Sequence, residues 1–190
     1  ATPVCKHGGA VLDCAWIGGT GDVATCGEDG SVKVSSPSGE KVSFAPFGGA
    51  PVRSVQACTP PGCDAFVLVT GSSDNSILKV WDAAGQRCSQ TVSFRTLDAE
   101  PFRGVVVSEP KSEFVLVANT AADAPSSCWS IFSLHLAPTP SKAGGFAFDC
   151  SSEFAIMYPV ISCMARRETE SSPDRQPEMH LYTLQTKMIQ

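Results

Sequence analysis

The feature that most constrains this chain is a short strand-and-turn unit that occurs twice. Residues 31–34 read Ser-Val-Lys-Val and residues 77–80 read Ile-Leu-Lys-Val, and the two lysines lie 46 positions apart. Each segment follows a turn of acidic and small residues and alternates apolar with polar side chains, as a β-strand does. A repeat of about 40–45 residues that holds several short strands is typical of a radial array of sheets. The repeat therefore predicts an all-β fold.

Four apolar or alternating runs make up the first unit, and turn signals of Gly, Pro, Asp or Ser end each of them. The predicted strands are residues 11–17, 23–26, 32–34 and 41–44. The second unit has the same order, with predicted strands at residues 52–57, 65–70, 77–81 and 89–94. Four antiparallel strands in about 40 residues form one blade of a β-propeller.

Two further units follow with less regular spacing. Their predicted strands are residues 104–108, 114–119 and 129–136, and then 159–165 and 180–184. We expect one partial propeller domain, residues 1–190, with about four blades at residues 7–47, 48–97, 98–150 and 151–190. Residues 121–127, 138–145 and 168–178 are rich in Ser, Pro, Ala or charge, which predicts long loops.

A set of about four blades leaves sheet faces and strand edges uncovered unless further blades pack on them. We therefore expect the chain to be the C-terminal part of a larger propeller of about seven blades, with a compact four-bladed ring as the alternative. The N-terminal residues include neither an initiator Met nor the apolar core of a signal peptide. This start is typical of the middle of a longer chain.

One segment resembles the end of a WD40 repeat, since residues 70–82 read Thr-Gly-Ser-Ser-Asp-Asn-Ser-Ile-Leu-Lys-Val-Trp-Asp. In that family a turn Asp, a His near the start of the repeat, a Ser or Thr on the second strand and the Trp form a buried hydrogen-bonded set. The resemblance assigns this structural role to His7, Thr25 and Asp29 in the first unit and to Thr70, Asp74, Trp81 and Asp82 in the second. Neither unit is complete, because residues 35–36 are Ser-Ser where Trp-Asp is expected and residues 48–49 are Gly-Gly where the His is expected.

A closer resemblance joins three stretches, in order, to the enhancer-of-mRNA-decapping (Varicose-like) scaffold proteins. The first is Asn-Ser-Ile-Leu-Lys-Val-Trp at 75–81 with Arg-Cys-Ser-Gln-Thr-Val-Ser-Phe at 87–94. The second, 152–162, is similar to a Ser-Glu-Phe-Leu…His-Pro-Val-Leu-Ser segment, with Tyr158 at the His, and the third is the terminus, 181–190. The resemblance implies a cytoplasmic scaffold of RNA granules (P-bodies) whose partners are the decapping enzyme and decapping activators.

Charge and hydropathy argue against nucleic acid and membrane as partners. The formal net charge is −5, and the 14 basic residues are scattered, whereas duplex binding needs clustered Lys and Arg to displace counterions. No apolar run approaches the roughly 18 residues of a membrane-spanning helix. The nine cysteines are odd in number and widely spaced, which favours reduced, buried thiols and an intracellular address.

No motif of catalysis, metal binding or cofactor binding is found. Cys58 and Cys63 flank a Pro-Pro-Gly turn, but no second Cys pair completes a zinc site. There is no Gly-x-Ser-x-Gly elbow, P-loop or recognisable nucleophile–base pair, and His135 and His180 are interpreted as surface or internally bonded residues. We expect no enzymatic activity and no cofactor. A propeller enzyme or metal-binding propeller would need carboxylates or His converging at the ring centre.

Two arginines are the candidate binding residues. Arg53 and Arg103 stand at or just before the first strands of the second and third units, near the rim of the face where propellers commonly bind peptides. Arg is enriched in interface hot spots, although solvation or internal pairing is the alternative role for each. The sequence thus favours a protein-binding scaffold in mRNA decapping, with a generic interaction module of another cytoplasmic complex as the alternative.

Overall fold

The computed structural model describes residues 5–63, 65–83, 85, 87–96, 102–121, 129–139, 145–167 and 178–185. Within these residues it contains strands and turns but no helix. The strands are β1 (Val11–Ile17), β2 (Asp22–Gly27), β3 (Val32–Ser36), β4 (Gly39–Phe44), β5 (Ser54–Cys58), β6 (Val67–Gly71), β7 (Ile77–Asp82), β8 (Cys88–Ser93), β9 (Gly104–Ser108), β10 (Phe114–Asn119), β11 (Ser130–Pro138), β12 (Phe146–Ala155), β13 (Val160–Arg167) and β14 (Met179–Gln185).

Sequence neighbours pair throughout, so every sheet is an antiparallel meander. The first three sheets have four strands each, in the orders β1-β2-β3-β4, β5-β6-β7-β8 and β9-β10-β11-β12. The fourth sheet is the pair β13-β14. The first strand of each sheet contacts the first strand of the next, since β1 packs near β5, β5 near β9 and β9 near β13. The sheets are therefore stacked like blades around a common inner edge, as the repeat predicts.

Alternation within single strands explains this stacking. All of β6 is buried, and its successive side chains point to opposite faces. Leu68 belongs to the apolar cluster shared with the first sheet, whereas Val67 and Val69 belong to the cluster shared with the third. A strand whose two faces pack against two neighbouring sheets therefore has a continuous apolar sequence. Burying a Val or Leu side chain contributes about 1.5–3 kcal/mol, so each inter-sheet face is a substantial source of stability.

Three apolar clusters fill the three inter-sheet spaces. The first joins Ile17, Ala24, Cys26, Val32 and Val34 to Val52, Val55 and Leu68. The second, between the second and third sheets, is the largest and contains Phe102, Phe146 and Phe148. The third is the smallest and joins Ala118 and Ile131 to Val160 and Cys163. The apolar packing is thus weakest at the two-stranded sheet.

The cysteines of the described residues are all free thiols, and Cys26, Cys58 and Cys163 are buried among apolar side chains. Burial raises the pKa of both Cys26 and Cys58 to about 12. These two thiols are therefore uncharged near neutral pH and pack as small apolar groups.

The third unit differs from the sequence prediction at its outer edge. The sequence analysis assigns no fourth strand there, yet β12 runs from Phe146 to Ala155. Residues 149–155 are exposed and largely polar, so apolar alternation does not mark this half of the strand. The expected boundary at residue 150 falls inside β12. Of the three predicted loops, residues 122–127, 140–144 and 168–177 lie outside the described residues, and Pro138 is the last residue of β11.

The fourth sheet has one covered face and one open face. Val160, Cys163 and Leu181 contact the third sheet. The opposite face exposes a row of large apolar side chains, Ile161, Met164, Tyr182 and Leu184. Met164 and Tyr182 are directly paired across the two strands, so the exposed apolar surface is continuous. Among the described strands, none covers it.

A close backbone approach between the turn after β2 and the segment before β5 gives the first prediction. Gly30 has a φ of 74°, and a Cβ there would overlap the backbone of Gly49. Gly21 has nearly the same φ, 72°, but open space around the Cβ position. Gly21→Ala should cost about 1–2 kcal/mol for the left-handed backbone alone. Gly30→Ala should cost about 1–3 kcal/mol more, because the added methyl overpacks the contact.

Chemical denaturation of the two variants measures this difference directly. Equal losses of unfolding free energy would show that Gly30 and Gly49 do not touch. Because the two glycines share one backbone conformation, the subtraction isolates the packing contribution.

Candidate interaction surface

The set predicted in the first unit is assembled where the N-terminal segment crosses the end of the first sheet. His7 Nδ1 lies 3.1 Å from both carboxylate oxygens of Asp29, and His7 Nε2 lies 2.9 Å from Thr25 Oγ1. A carboxylate only accepts hydrogen bonds, so Nδ1 carries a proton, and in the neutral ring Nε2 accepts from the Thr25 hydroxyl. Thr25 lies on β2 and Asp29 in the turn that follows it, so the imidazole connects the N-terminal segment to both.

Asp29 is held in its ionised form by converging donors. Its carboxylate accepts hydrogen bonds from Gly8 N–H at 2.7 Å, Ser31 N–H at 3.0 Å and Ser31 Oγ at 2.7 Å. Desolvation alone raises the pKa of Asp29, but the hydrogen bonds from Gly8, Ser31 and His7 outweigh it and hold the pKa well below its ordinary range. The charged carboxylate is therefore an integral part of the fold near neutral pH.

This arrangement has the same order of groups as a catalytic triad: acid, imidazole, hydroxyl. The sequence analysis predicts no nucleophile–base pair, whereas the structure places the His7 imidazole in hydrogen-bond contact with the Thr25 hydroxyl. Access decides its role, because a nucleophile and its base must reach a substrate. The His7 side chain is 1% exposed and Thr25 is 8% exposed. The hydrogen bonds therefore hold the N-terminal segment against the first sheet, and neither His7 nor Thr25 is accessible to a substrate.

The second unit holds the other half of the set. Trp81 Nε1 donates to Thr70 Oγ1 at 3.1 Å. The indole packs on Phe44 of the first sheet, with ring centroids 5.1 Å apart, so it lies between two sheets. Asp74 accepts hydrogen bonds from Ser72 and Ser76 within its own turn. Asp82 accepts from the N–H of Arg87 at the other end of the sheet.

Sheet register shows what replaces the indole in the first unit. Thr25 pairs with Lys33 as Thr70 pairs with Lys79, and the residue two positions on is Ser35 in one sheet and Trp81 in the other. Ser35 is 1% exposed, and its Oγ has no hydrogen-bond partner among the described atoms. The acid–imidazole–hydroxyl half therefore occurs in one sheet and the indole–hydroxyl half in the next.

Several residues that the sequence analysis does not select as site residues form polar links between sheets. Asn75, at a φ of 60°, accepts from Ser54 Oγ at 2.7 Å and donates to Gly104 O at 2.7 Å. It thereby joins the second sheet to the third. An Asn in a tight turn is a weak signal of a left-handed residue, and nothing in the sequence indicates its distant partner.

Two inner-strand side chains make similar links. Asp13 Oδ2 accepts from Val55 N–H at 3.0 Å, across the first and second sheets. Burial raises the pKa of Asp13, against hydrogen bonds from Val55, Cys14 and Gln56 that lower it. Gln56 Oε1 in turn accepts from the N–H and Oγ of Ser108 on the third sheet, at 3.1 and 3.0 Å. Side chains on the inner strands thus connect three successive sheets.

Arg53 and Arg103 occupy equivalent positions at one end of these inner strands. Each immediately precedes the first strand of its sheet and each is exposed. The backbone N–H of Arg53 donates to Gly71 O at 3.0 Å, and that of Arg103 donates to Asn119 Oδ1 at 3.3 Å. Arg53 borders an opening of about 540 Å³ along the inner strands, beside Asp13 and Gln56. The two arginines define what we term the arginine rim.

Among the described residues, no group of three or more His, Cys, Asp or Glu side chains is placed to hold a metal ion. In the same part of the chain no helix has the length and apolar character needed to cross a membrane.

Comparisons with known proteins identify the fold. No protein-family model matches the chain, and no curated protein matches it. Among solved structures the chain is similar to the WD40 domain of Toxoplasma gondii coronin, with a TM-score of 0.68 over 97% of the chain. The sequence identity is 10%, and the match spans 45% of the coronin chain. The chain thus covers about half the length of this structural neighbour.

The stacked four-stranded meanders and this likeness define the fold class as a partial β-propeller. The propeller is of the WD40 type. The partition of the residue set between two sheets leaves each repeat with part of the WD40 pattern.

The ionised Asp29 generates a pH-dependent prediction. Asp29→Asn should lower the unfolding free energy near neutral pH by about 1.5–3 kcal/mol, the range for hydrogen bonds to a charged group. The pKa of this Asp is lowered by folding, so its contribution is full above the unfolded-state pKa of about 3.9 and is lost as the pH falls toward the folded-state value. Denaturation from pH 7 to pH 2 should show the gap between Asp29→Asn and wild type closing in acid.

Glu40→Gln is the control, since Glu40 pairs with Lys33 at the surface and exposed pairs contribute little. A gap for Asp29→Asn that stays constant with pH would contradict the assignment of an ionised Asp29.

The hydrogen bond of Trp81 to Thr70 and its ring contact with Phe44 give a further prediction. Trp81→Phe should keep the aromatic contact with Phe44 but remove the donor to Thr70, at a cost of about 1–2 kcal/mol. Trp81→Ala should cost about 3 kcal/mol or more, because it also empties the space between the sheets. Equilibrium denaturation of both variants checks the order, and equal losses would show that only the hydrogen bond matters.

Proposed function

We propose that this chain is a non-catalytic scaffold segment that binds other proteins through the arginine rim. The observation that carries the proposal is the placement of two exposed arginines, Arg53 and Arg103, at equivalent positions of successive sheets. Their backbones are anchored by hydrogen bonds, and the inner strands beneath them are joined by Asp13, Gln56 and Asn75. The backbone positions of the two arginines are therefore fixed before a partner binds, and their exposed side chains can reach an acidic segment.

Electrostatics favour an anionic protein surface as the partner. Guanidinium groups form bidentate hydrogen bonds with carboxylates, and Arg is frequent among residues that dominate binding energy. The formal net charge of the chain is −5, so a local pair of arginines distinguishes this rim from the rest of the surface. Attraction to such a rim should weaken as salt is added.

The finer proposal places this scaffold in mRNA decapping, in cytoplasmic RNA granules, with the decapping enzyme and decapping activators as partners. Its support is the ordered resemblance of residues 75–94, 152–162 and 181–190 to the enhancer-of-mRNA-decapping scaffolds. A scaffold role would need no catalytic residues, which is compatible with the burial of His7 and Thr25 in their hydrogen-bonded set with Asp29. The alternative is an interaction module of another cytoplasmic complex, which would use the same rim for different partners.

Capture from cytoplasmic extract tests both levels of the proposal. The complete chain, immobilised, should retain decapping factors, identified by mass spectrometry and confirmed with the purified factors. Arg53→Glu combined with Arg103→Glu should reduce capture at least about tenfold, equivalent to a loss of about 1.4 kcal/mol. Arg87→Glu is the matched control, because Arg87 is also exposed but lies at the opposite end of its sheet, before β8.

The outcomes separate the two functions. Rim-dependent capture of other proteins, without decapping factors, would favour the generic module and remove the decapping assignment. Capture that Arg87→Glu weakens as much as the rim variants do would remove the rim assignment. Turnover of capped RNA or of simple ester substrates that is lost on His7→Gln would contradict a non-catalytic role.

A further inference from the structure

A second surface lies on the outer side of the molecule, between the second and third sheets. A groove of about 440 Å³ runs between β8 and β12, the outermost strands of these sheets. Its floor is aromatic, formed by Phe94, Phe132 and Phe148. Phe94 and Phe132 pack with ring centroids 5.2 Å apart and are only partly buried. The groove therefore offers an apolar depression next to a strand edge.

The outer edge of β12 already makes strand-like hydrogen bonds to a side chain. The Gln90 amide accepts from Phe148 N–H at 2.7 Å and donates to Phe148 O at 3.0 Å. A backbone group of an added strand would use these same two bonds. Gln90 thus occupies one position of the edge, and its two hydrogen bonds show that the N–H and C=O of Phe148 point away from β11.

The pairing register of β11 and β12 identifies the next residue of β12 whose backbone N–H and C=O point away from β11. Leu136, which pairs with Phe148, donates its N–H to Glu113 on the far side, so this is a non-hydrogen-bonded pair. Beyond the bulge at residue 149 the pairs alternate, and His135 pairs with Cys150 and Leu134 with Ser151. Alternation makes the pair of Leu134 and Ser151 non-hydrogen-bonded as well. The N–H and C=O of Ser151 therefore point out of the sheet, and Ser151 lines the groove.

Charge on the groove walls gives the site a preference. Asp149 Oδ1 lies 2.7 Å from His135 Nδ1 and accepts a hydrogen bond from the ring, so one wall of the groove carries a carboxylate that is hydrogen-bonded within the third sheet. Arg95 is exposed at the end of β8, and no described residue forms an ion pair with it. Among the described residues, the groove thus combines an aromatic floor, an edge of β12 with no pairing strand and an arginine that forms no ion pair. That combination complements an extended segment with an apolar side chain beside an acidic one.

We propose that this groove binds an extended acidic–apolar peptide segment of a partner protein by addition to the edge of β12. The backbone of the segment bonds the N–H and C=O of Ser151, an apolar side chain enters between Phe94, Phe132 and Phe148, and an acidic side chain meets Arg95. This mode uses backbone bonds for affinity and the floor for selectivity. The surface is separate from the arginine rim, so it would give the scaffold a second point of attachment.

The probe is a fluorescently labelled peptide that alternates acidic and apolar residues around one Phe, titrated with the complete chain and followed by anisotropy. Ser151→Pro removes the outward N–H and should weaken binding roughly tenfold or more. Proline is tolerated at outward-facing edge positions, and a thermal melt verifies folding. Ser151→Ala keeps the N–H and should bind as wild type does. Equal affinities of the proline and alanine variants would overturn strand addition.

N-methylation of alternate amides in the probe repeats this test on the wild-type protein, so the result does not depend on the folding of the proline variant. The methylated probe should bind at least about tenfold more weakly. Undiminished binding of the methylated probe, or no binding of the unmodified probe, would overturn the proposal.

Charge reversal tests the wall. Arg95→Glu should weaken the acidic probe and strengthen a probe in which Lys replaces the acidic residues, whereas Arg87→Glu should change neither. Equal effects of the two substitutions would mean non-specific attraction and would overturn the assigned site. Arg53→Glu with Arg103→Glu should leave probe binding unchanged, so the groove and the arginine rim succeed or fail independently.

Discussion

Apolar contact between neighbouring sheet faces is the interaction on which the rest of this structure depends. Each sheet is a thin meander whose strands pair only with their sequence neighbours, so no backbone ladder joins one sheet to the next and side-chain packing supplies most of the contact. Leu68 and Val69 are adjacent on β6, and Leu68 packs against the first sheet whereas Val69 packs against the third. Loss of one interface would therefore expose two apolar faces at once. The hydrophobic effect sets the order of the sheets, and the polar residues refine their register.

Hydrogen bonds and ion pairs between sheets determine how accurately the two proposed binding surfaces are placed. Asp13, Gln56 and Asn75 join inner strands, and Gln90 joins the outer strands. At the far end Arg167 pairs with Glu113 between the third and fourth sheets. Buried polar groups are costly unless they are satisfied, so each link favours one alignment of two sheets. The arginine rim and the outer groove both lie where sheets meet, and their geometry follows from these alignments.

The sequence predicts this fold well wherever a strand is marked by its own side chains. The strands around Lys33 and Lys79 are recognisable because alternation and turn signals are local properties. The second half of β12 is missed because an exposed outer strand with polar residues carries no such mark. The boundary of the third unit depends on the same strand and falls inside it.

Site residues, like strands, can be predicted only where their partners lie close in the sequence. Thr25 and Asp29 are separated by one turn, and the structure places both against His7. The partners of Asn75, Gln56 and Gln90 on neighbouring sheets lie 29 or more positions away, and they become visible only when the sheet-to-sheet register is known. The equivalent placement of Arg53 and Arg103 is predicted from the strand pattern, because each stands at the first strand of its unit, and their role in binding stays a prediction. The outer groove could not be predicted, because it is formed by two outer strands of different sheets.

The two-stranded fourth sheet affects how the molecule opens. Sheets that contact only their immediate neighbours form a one-dimensional array, in which stability is approximately a sum of unit and interface contributions. The second and third sheets have two interfaces each and share the largest cluster, whereas the fourth has two strands and the smallest cluster. Local opening should therefore start at β13 and β14 and proceed inward. Amide hydrogen exchange would appear as a gradient along the chain, with protection greatest around β6 and β10.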